Sequence, residues 1–174
     1  MARPVLVIDD DDTSRRLVTA IFAVQGLEVA GASSGKEGLA HVAAERPSVV
    51  LLDMQMPEMN GLEVLEVLGE RVPGLPVVMV TADDDVKTAV RATRLGAYDY
   101  LTKPIDPDEL VAVVRRALET SALRAEVSDL RRKLSIGGGL AAQMGTSAAV
   151  REIVEHVAAV AASDLTVLVL GETG

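Results

Sequence analysis

Five short apolar runs alternate with amphipathic helical patterns over the first 120 residues, and this alternation strongly constrains the fold. The runs have strand length, and between them apolar residues recur at three- and four-residue spacing, as on one face of a helix. Strands separated by helices form βαβ units with a parallel sheet that is covered on both faces. We therefore predict a doubly wound, five-stranded α/β domain with strands at residues 5–8, 28–32, 49–52, 77–80 and 98–101.

The composition limits where the protein can work and what its core can contain. Apolar residues make up 49% of the chain, but only Phe22, Tyr98 and Tyr100 are aromatic, so Val, Leu, Ile and Ala must build the core. No apolar run reaches the roughly 18–20 residues needed to cross a bilayer. The absence of cysteine excludes disulfides and thiolate metal sites. We expect a cytoplasmic protein that has no membrane contact.

The charge distribution argues against direct nucleic-acid binding by the α/β domain. The formal net charge is −9, and residues 1–120 carry 20 acidic and 12 basic side chains. An acidic surface with few aromatic residues repels the phosphate backbone and offers few stacking platforms. If the protein acts on DNA, this domain is therefore not the part that binds it.

Polar residues follow four of the five predicted strands at the point where each strand ends. Asp9 and Asp10 follow the first strand, Asp53 ends the third, Thr81 ends the fourth, and Lys103 lies just past the fifth. Ligands of open parallel sheets bind beyond the carboxyl ends of the strands. We therefore expect three carboxylates, a hydroxyl and an ammonium group to converge at one edge of the sheet.

Three converging carboxylates repel one another, and a single lysine cannot balance their charge. Magnesium is the natural addition, because it prefers oxygen ligands and binds through one or two carboxylates together with phosphate oxygens. A phosphoryl group would then lie between the metal, Lys103 and the Thr81 hydroxyl. Asp53 would be the nucleophile that attacks phosphorus. The residues thus predict phosphoryl transfer by positioning and charge neutralisation.

This pattern resembles the receiver domain of bacterial two-component response regulators, which has a flavodoxin-like fold. The resemblance covers residues 3–120 and is carried by four segments of this sequence: "VLVIDDDD", "VVLLDMQMPEMNG", "VVMVTADD" and "DYLTKPID". It implies that Asp53 accepts a phosphoryl group from a partner histidine kinase. It also implies that Asp9, Asp10, Asp53 and the backbone carbonyl of Gln55 bind Mg²⁺.

The same resemblance implies roles for residues on the last two strands. Thr81 and Lys103 would contact the phosphoryl group, and Thr81 and Tyr100 would act as switch residues that change position on activation. The bond between Lys103 and Pro104 would be cis. The domain would be a regulator that catalyses only its own phosphotransfer. A haloacid-dehalogenase-type phosphatase is disfavoured, because Asp53 is followed by Met54 and Gln55 and the chain has no cap insertion.

Two aspartates are predicted to cap helices: Asp12 at the start of the first helix, and Asp106, followed by Pro107, at the start of the last helix of the domain. After Pro107 no helix-breaking residue occurs until Gly137, so this helix is predicted to continue to about Leu134. Residues 121–139 would form a helical linker that ends in a glycine-rich hinge.

The linker has apolar residues at 4-3-4 spacing, which is typical of a coiled-coil seam. These residues are Leu123, Val127, Leu130 and Leu134. Because two heptads are a weak signal, two interpretations stay open: a helix that forms a homodimer, and a solvated linker.

Residues 140–174 resemble the opening of the AAA+ domain of sigma-54-dependent, nitrogen-regulation-type transcription activators. The final "GETG" matches the first positions of a phosphate-binding loop, in which Gly171 and Gly174 would contribute to cofactor binding. We expect no ATP binding here, because the lysine of that loop is missing, and we expect the chain to be a fragment cut inside the AAA+ domain. ATP, sigma-54 RNA polymerase and DNA would be bound only by the full-length parent.

The predicted function is a phosphorylation-dependent response regulator that switches the assembly of a sigma-54-dependent activator. The alternative is a receiver that passes its phosphoryl group on as a phosphorelay intermediate without transcription output. Two regulatory modes fit the predicted layout: a receiver that represses the ATPase, and a receiver that builds the active ring.

Overall fold

The computed structural model describes residues 5–82, 86–137 and 147–160. The chain divides into two compact units, Met1–Ala125 and Glu126–Gly174. The first unit contains the five strands that the described residues form. Among the helices in the described ranges, none has both the length and the apolar composition that a membrane span requires.

Strands and helices alternate through the first unit, as the apolar pattern predicts. The elements are β1 (Val5–Ile8), α1 (Asp12–Val24), β2 (Val29–Ala32), α2 (Gly35–Glu45), β3 (Val49–Asp53), α3 (Gly61–Arg71), β4 (Val77–Thr81), α4 (Val86–Arg94), β5 (Asp99–Thr102) and α5 (Pro107–Gly137). A further helix, α6 (Ala148–Val160), lies in the second unit. The sheet has the order β2-β1-β3-β4-β5 with all pairs parallel, so the predicted α/β fold is confirmed.

The predicted strands differ from the observed ones by about one residue at their ends. The prediction for β1 was correct, whereas β2 begins at Val29 and β5 is shifted by one residue to Asp99–Thr102. The strands β3 and β4 each continue by one residue to include Asp53 and Thr81. Both added residues are polar, so a pattern of apolar side chains cannot include them, although their backbones still pair with the neighbouring strands.

The prediction that Asp12 caps α1 was wrong. The N-cap is Asp11, whose carboxylate accepts hydrogen bonds from the backbone N–H groups of Thr13 and Ser14. Asp12 is the first helical residue. The prediction for Asp106 was correct, because its Oδ1 accepts from the backbone N–H groups of Asp108 at 2.8 Å and Glu109 at 3.1 Å.

Both faces of the sheet are covered by helices, so alternate residues of the strands enter two separate cores. One core joins one face of the sheet to α2, α3 and α4 through Leu6, Ile8, Val42, Val50, Leu52, Val64, Leu65, Leu68, Met79 and Ala92. The other joins the opposite face to α1 and α5 through Val5, Val7, Val18, Phe22, Val49, Leu51, Leu110, Val113, Val114 and Ala117. Burial of each large side chain stabilises the fold by about 1.5–3 kcal/mol. The two cores therefore hold the carboxyl ends of the strands on a rigid base.

Beyond the sheet, α5 continues to Gly137, about one turn further than the predicted end near Leu134. Three side chains of the predicted seam are exposed: Leu123 at 62%, Val127 at 47% and Leu130 at 51%. The side chain of Leu134 lies outside the described residues. The apolar stripe on α5 is thus open to solvent in the single chain.

Candidate functional site

Two neighbouring strands of the sheet place Asp9 and Asp53 next to each other. β1 pairs in register with β3, with Ile8 opposite Leu52, and each aspartate is the residue that follows this pair. Both aspartates are buried, with each residue 5% exposed. From β1 the chain adds β2 on one side of the sheet and then β3, β4 and β5 on the other. Such a change of direction opens a crevice at the carboxyl ends of the two central strands, β1 and β3. The two carboxylates therefore lie at the usual ligand-binding position of this fold class.

Lys103 bridges the two buried carboxylates. Its Nζ donates to Asp53 Oδ1 at 2.7 Å and to Asp9 Oδ2 at 2.9 Å. Its backbone N–H donates to the carbonyl oxygen of Thr81 at 2.6 Å, which ties the loop after β5 to the end of β4. The peptide bond between Lys103 and Pro104 is cis, as predicted. Hydrogen bonds from both the side chain and the backbone thus hold Lys103 in place.

The second oxygen of each buried carboxylate accepts a backbone hydrogen bond. Asp9 Oδ1 accepts from the N–H of Asp11 at 2.9 Å, and Asp53 Oδ2 accepts from the N–H of Gln55 at 2.8 Å. Because each aspartate is bound at both oxygens, neither carboxylate can rotate without losing a hydrogen bond. The site is thus organised before any ligand enters.

The pKa values of Asp53 and Lys103 are both raised, but burial raises the first and opposes the rise of the second. Burial raises the pKa of Asp53 above its ordinary value, and the hydrogen bond and charge of Lys103 oppose this rise without cancelling it. For Lys103, burial disfavours the charged form, but the hydrogen bonds and charges of Asp53 and Asp9 outweigh it, so the pKa is raised. The charged form of Lys103 is therefore favoured, whereas the ionised form of Asp53 is less favoured than that of a free aspartate.

Asp10 completes an acidic cluster with the two buried aspartates. One carboxylate oxygen from each of Asp9, Asp10 and Asp53 can be chosen so that the three lie within 4.8 Å of one another. Asp10 itself is exposed and faces solvent at the rim of the site. Hard oxygen ligands in such a cluster, with an open side for water and phosphate oxygens, fit Mg²⁺. The predicted participation of the Gln55 carbonyl stays a prediction.

Thr81 and Tyr100, the two predicted switch residues, lie on the neighbouring strands β4 and β5. Thr81 is fully buried at the end of β4, one residue past Val80, which is the registered partner of Asp53. Tyr100 of β5 pairs with Met79 of β4. Its partly buried side chain packs against the core between the sheet and α2, α3 and α4. Their switching role stays a prediction.

The backbone at the start of α3 packs very closely against the backbone of Asp53 and Met54. The N–H of Gly61 donates to the carbonyl of Met54 at 3.0 Å, and a Cβ on Gly61 would collide with the carbonyl oxygen of Asp53. A reciprocal capping box between Asn60 and Glu63 fixes this helix start. Only glycine allows α3 to approach the strand that carries the central aspartate so closely.

Residues 5–115 match the family model described as the response regulator receiver domain. The chain belongs to the receiver family. The match covers most of the first unit, including the ends of the strands on which the acidic cluster is built. The family model thus agrees with the resemblance inferred from the four sequence segments.

Curated relatives of this receiver are regulatory proteins. Regulatory protein AtoC of Escherichia coli is 38% identical over 170 residues, which cover 98% of this chain and 37% of AtoC. The C4-dicarboxylate transport transcriptional regulatory protein DctD of Pseudomonas aeruginosa is 40% identical, with 98% of this chain and 37% of DctD covered. The chain therefore spans a little over a third of the length of these relatives.

Solved structures show the same receiver fold. A crystal structure of NtrX from Brucella abortus has a TM-score of 0.69 and 38% identity, and the match covers 94% of this chain and 35% of NtrX. A receiver domain from Clostridium thermocellum has a TM-score of 0.66 and 31% identity, with 70% of this chain and 98% of that chain covered. The flavodoxin-like receiver architecture is thereby established for residues of the first unit.

The structure brings one further residue to the receiver site that the sequence did not indicate. Arg15, on the first turn of α1, donates from Nη1 to the backbone carbonyl of Asp9 at 2.8 Å. An arginine near a helix N-terminus is common on protein surfaces, so its type and position gave no signal. By contrast, Gly171 and Gly174 lie outside the described residues.

Proposed function

We propose that this receiver accepts a phosphoryl group on Asp53 and works as the phosphorylation-dependent switch of a two-component response regulator. The observation that carries the proposal is the grouping of Asp53 with Asp9, Asp10 and Lys103 at the carboxyl edge of the sheet. A buried aspartate whose pKa is raised by burial, beside a fixed cation and two further carboxylates, suits a nucleophile for phosphorus better than a structural ion pair.

The residues around Asp53 support one chemical step. A carboxylate oxygen of Asp53 attacks the phosphorus of a phosphohistidine on a partner kinase, and the P–N bond breaks as the acyl phosphate P–O bond forms. The electron pair of the broken bond stays on the histidine nitrogen. Lys103 balances the negative charge around the transferring group, while the Gln55 N–H holds the second oxygen of Asp53 at 2.8 Å.

Mg²⁺ would be held by Asp9, Asp10 and Asp53 together with the Gln55 backbone carbonyl, and it would supply positive charge to the phosphoryl oxygens. The donor set fits this ion, because its three carboxylates converge with oxygens inside 4.8 Å. Asp9 is immobilised by two hydrogen bonds to its carboxylate. The exposed Asp10 would bind the ion at the rim of the site, which water and phosphate oxygens can reach.

The switch would be read out by Thr81 and Tyr100. A phosphoryl group on Asp53 would carry several acceptor oxygens, and the hydroxyl of Thr81, at the end of the adjacent strand, would donate a hydrogen bond to one of them. This hydrogen bond would draw Thr81 toward Asp53, and the ring of Tyr100 on the neighbouring strand would change rotamer in response. The surface formed by α4, β5 and α5 would then change with the state of Asp53.

The output would be control of a sigma-54-dependent transcription activator in the bacterial cytoplasm. Support comes from relatives such as DctD, a transcriptional regulatory protein to which 98% of this chain aligns. Residues 121–139 would be the helical linker and 140–174 the beginning of the AAA+ domain. Contacts with sigma-54 RNA polymerase and DNA, together with ATP binding, would belong to the rest of the parent.

A homodimer would transmit the switch, formed along the exposed stripe of Leu123, Val127 and Leu130. These side chains are 47–62% exposed on α5, which is unfavourable for large apolar groups unless a partner covers them. The exposure of this stripe favours a dimerising helix over a solvated linker. A receiver used as a phosphorelay intermediate is the second candidate, because the acidic site alone would serve it equally well.

Intact mass after incubation with acetyl phosphate and Mg²⁺ tests the proposed acceptor. We expect the wild type to gain the mass of one phosphoryl group, Asp53→Asn to gain none, and Asp108→Asn, an exposed aspartate on α5, to react like the wild type. An adduct on Asp53→Asn equal to that of the wild type would contradict the assignment. Beryllofluoride binding to the wild type but not to Asp53→Asn would reveal an acceptor whose phosphoryl group is lost too fast to detect.

A further inference from the structure

Arg15 is partly buried against the acidic turn, unlike the neighbouring arginine of the same helix. Its side chain is 20% exposed, whereas that of Arg16 is 82% exposed. Guanidinium groups are costly to bury unless their donors are used. The burial of Arg15 therefore indicates that its contacts are specific.

The two terminal nitrogens of Arg15 contact two different residues of the β1–α1 turn. Nη1 donates to the backbone carbonyl of Asp9 at 2.8 Å, and Nη2 donates to Asp12 Oδ1 at 3.0 Å. The aliphatic part of the side chain passes over Gly31 of β2, where a Cβ would lie 3.7 Å from Arg15 Cδ. Arg15 thus joins the end of β1 to the first residue of α1.

These contacts complete the fixation of Asp9. Its N–H donates to the carbonyl of Ala32 at 3.1 Å, and its two carboxylate oxygens accept from Asp11 and Lys103. Arg15 binds the remaining backbone acceptor of Asp9. Every polar group of this residue is therefore engaged, and its carbonyl is held from the α1 side by one guanidinium.

We propose that Arg15 is a positioning residue for the magnesium site, which it serves by fixing the turn that presents Asp9 and Asp10. This inference rests on the magnesium site of the proposed function. It goes beyond that function because Arg15 has no carboxylate and cannot itself bind the ion. Residues that orient metal ligands by hydrogen bonding act in the same manner.

The sign of the effect on affinity separates positioning from plain electrostatics. A positive charge beside three carboxylates opposes the binding of a divalent cation, so removing the charge alone would tighten Mg²⁺ binding. Removing the hydrogen bond to Asp9 frees the turn and would weaken binding. A weaker affinity in a variant that has lost a positive charge can therefore arise only from lost geometry.

Arg15→Gln and Arg16→Gln form a matched pair for this test. Both remove one positive charge from the same turn of α1, and both remove a contact to Asp12, which Arg16 Nε reaches at 2.7 Å. Of these two arginines, only Arg15 has a hydrogen bond to Asp9. Mg²⁺ titration of the 174-residue chain, followed by calorimetry and by the amide resonances of Asp10 and Asp11, gives the dissociation constants without any phosphorylation step.

We expect Arg15→Gln to raise the dissociation constant for Mg²⁺ by about 10-fold, the lower end of the range for outer-shell partners of metal ligands. Arg16→Gln should bind Mg²⁺ as tightly as the wild type or more tightly. In the absence of metal, the Asp11 amide resonance should shift in Arg15→Gln but not in Arg16→Gln, because the Asp11 N–H is bonded to Asp9.

Each other outcome contradicts either the magnesium site or the positioning role of Arg15. If the wild type does not bind Mg²⁺, the metal site of the proposed function is wrong. If the wild type binds and Arg15→Gln binds equally or more tightly, Arg15 does not position the site, even if urea unfolding shows reduced stability. Equal weakening in both variants would assign the effect to the shared Asp12 contact and would likewise overturn the proposal.

Discussion

Lys103 Nζ lies 2.7 Å from Asp53 Oδ1, although 50 positions of sequence separate the two residues. The same nitrogen contacts Asp9, which is 94 positions away. The contacts arise because β1, β3 and β4 are neighbours in the sheet and β5 lies at its edge, so that their carboxyl ends face one crevice. The ion pair thus joins the first and last strands of the domain across the site.

Loss of this bridge should destabilise the metal-free protein. We expect Lys103→Met to lower the free energy of unfolding by about 1–3 kcal/mol, because two buried carboxylate oxygens lose their hydrogen-bond donor. Added Mg²⁺ should restore part of the loss by replacing the missing positive charge. Urea unfolding in EDTA and in Mg²⁺ measures both effects.

Lys36→Met is the control for Lys103→Met, because the pair that Lys36 forms with Glu58 at 2.8 Å is exposed on both sides. Exposed ion pairs contribute little to stability. We expect this variant to unfold like the wild type, with no response to Mg²⁺ beyond that of the wild type. Equal destabilisation of the two variants would show that burial of the Lys103 pair is not what matters.

Two glycines of α3 should respond in opposite directions to the same substitution. Gly61→Ala places a Cβ against the backbone of Asp53 and Met54 and should cost about 1–3 kcal/mol, as overpacking does. Gly69→Ala meets only the carbonyl of Leu95 at 3.8 Å and should stabilise the helix by about 0.5–1 kcal/mol. Urea unfolding checks both. A stable Gly61→Ala would mean that α3 can move away from Asp53.

Glu37 should make the stability depend on pH in acid. Its carboxylate accepts from the backbone N–H and the hydroxyl of Ser33, and these bonds lower the pKa of Glu37 below its ordinary value of 4.5. A lowered pKa contributes stability that is present above 4.5 and is lost as pH falls through the folded-state pKa. Glu37→Gln should therefore be less stable than the wild type at pH 7 and equally stable in strong acid.

The pH effect of Glu37 can be tied to its partner by a double-mutant cycle with Ser33→Ala, which removes one of the two donors. Thermal unfolding from pH 7 downward would show the difference between wild type and Glu37→Gln. We expect this difference to be smaller in the Ser33→Ala background. A difference that is constant with pH, or unaffected by Ser33→Ala, would exclude the hydrogen bonds as its source.

Leu130→Asp should weaken the proposed dimer by about 10-fold or more, because a charge would be buried in an apolar seam. Ser128→Asp adds the same charge on the opposite side of α5 and should leave association unchanged. Sedimentation equilibrium of both variants and the wild type gives the dissociation constants. A wild type that is monomeric at all concentrations would contradict dimerisation through the Leu123, Val127 and Leu130 stripe.

The sequence predicted the elements of the receiver well because local patterns carry that information. Apolar runs located all five strands to within a residue or so, and the position after each run located Asp9, Asp53, Thr81 and Lys103. The cap of α1 was assigned to Asp12 instead of Asp11, because four successive aspartates are indistinguishable by residue type. Their hydrogen bonds depend on backbone angles that composition does not reveal.

The order of apolar, polar and breaker residues along the chain is enough to predict the fold class and the kinds of group at the carboxyl edge of the sheet. Which atoms meet there depends on tertiary packing. It placed Lys103 Nζ between Asp9 and Asp53 and the guanidinium of Arg15 behind Asp9, and it left the α5 stripe exposed. These contacts depend on strand order, register and rotamers, which join residues that are far apart in the chain and invisible to a local pattern.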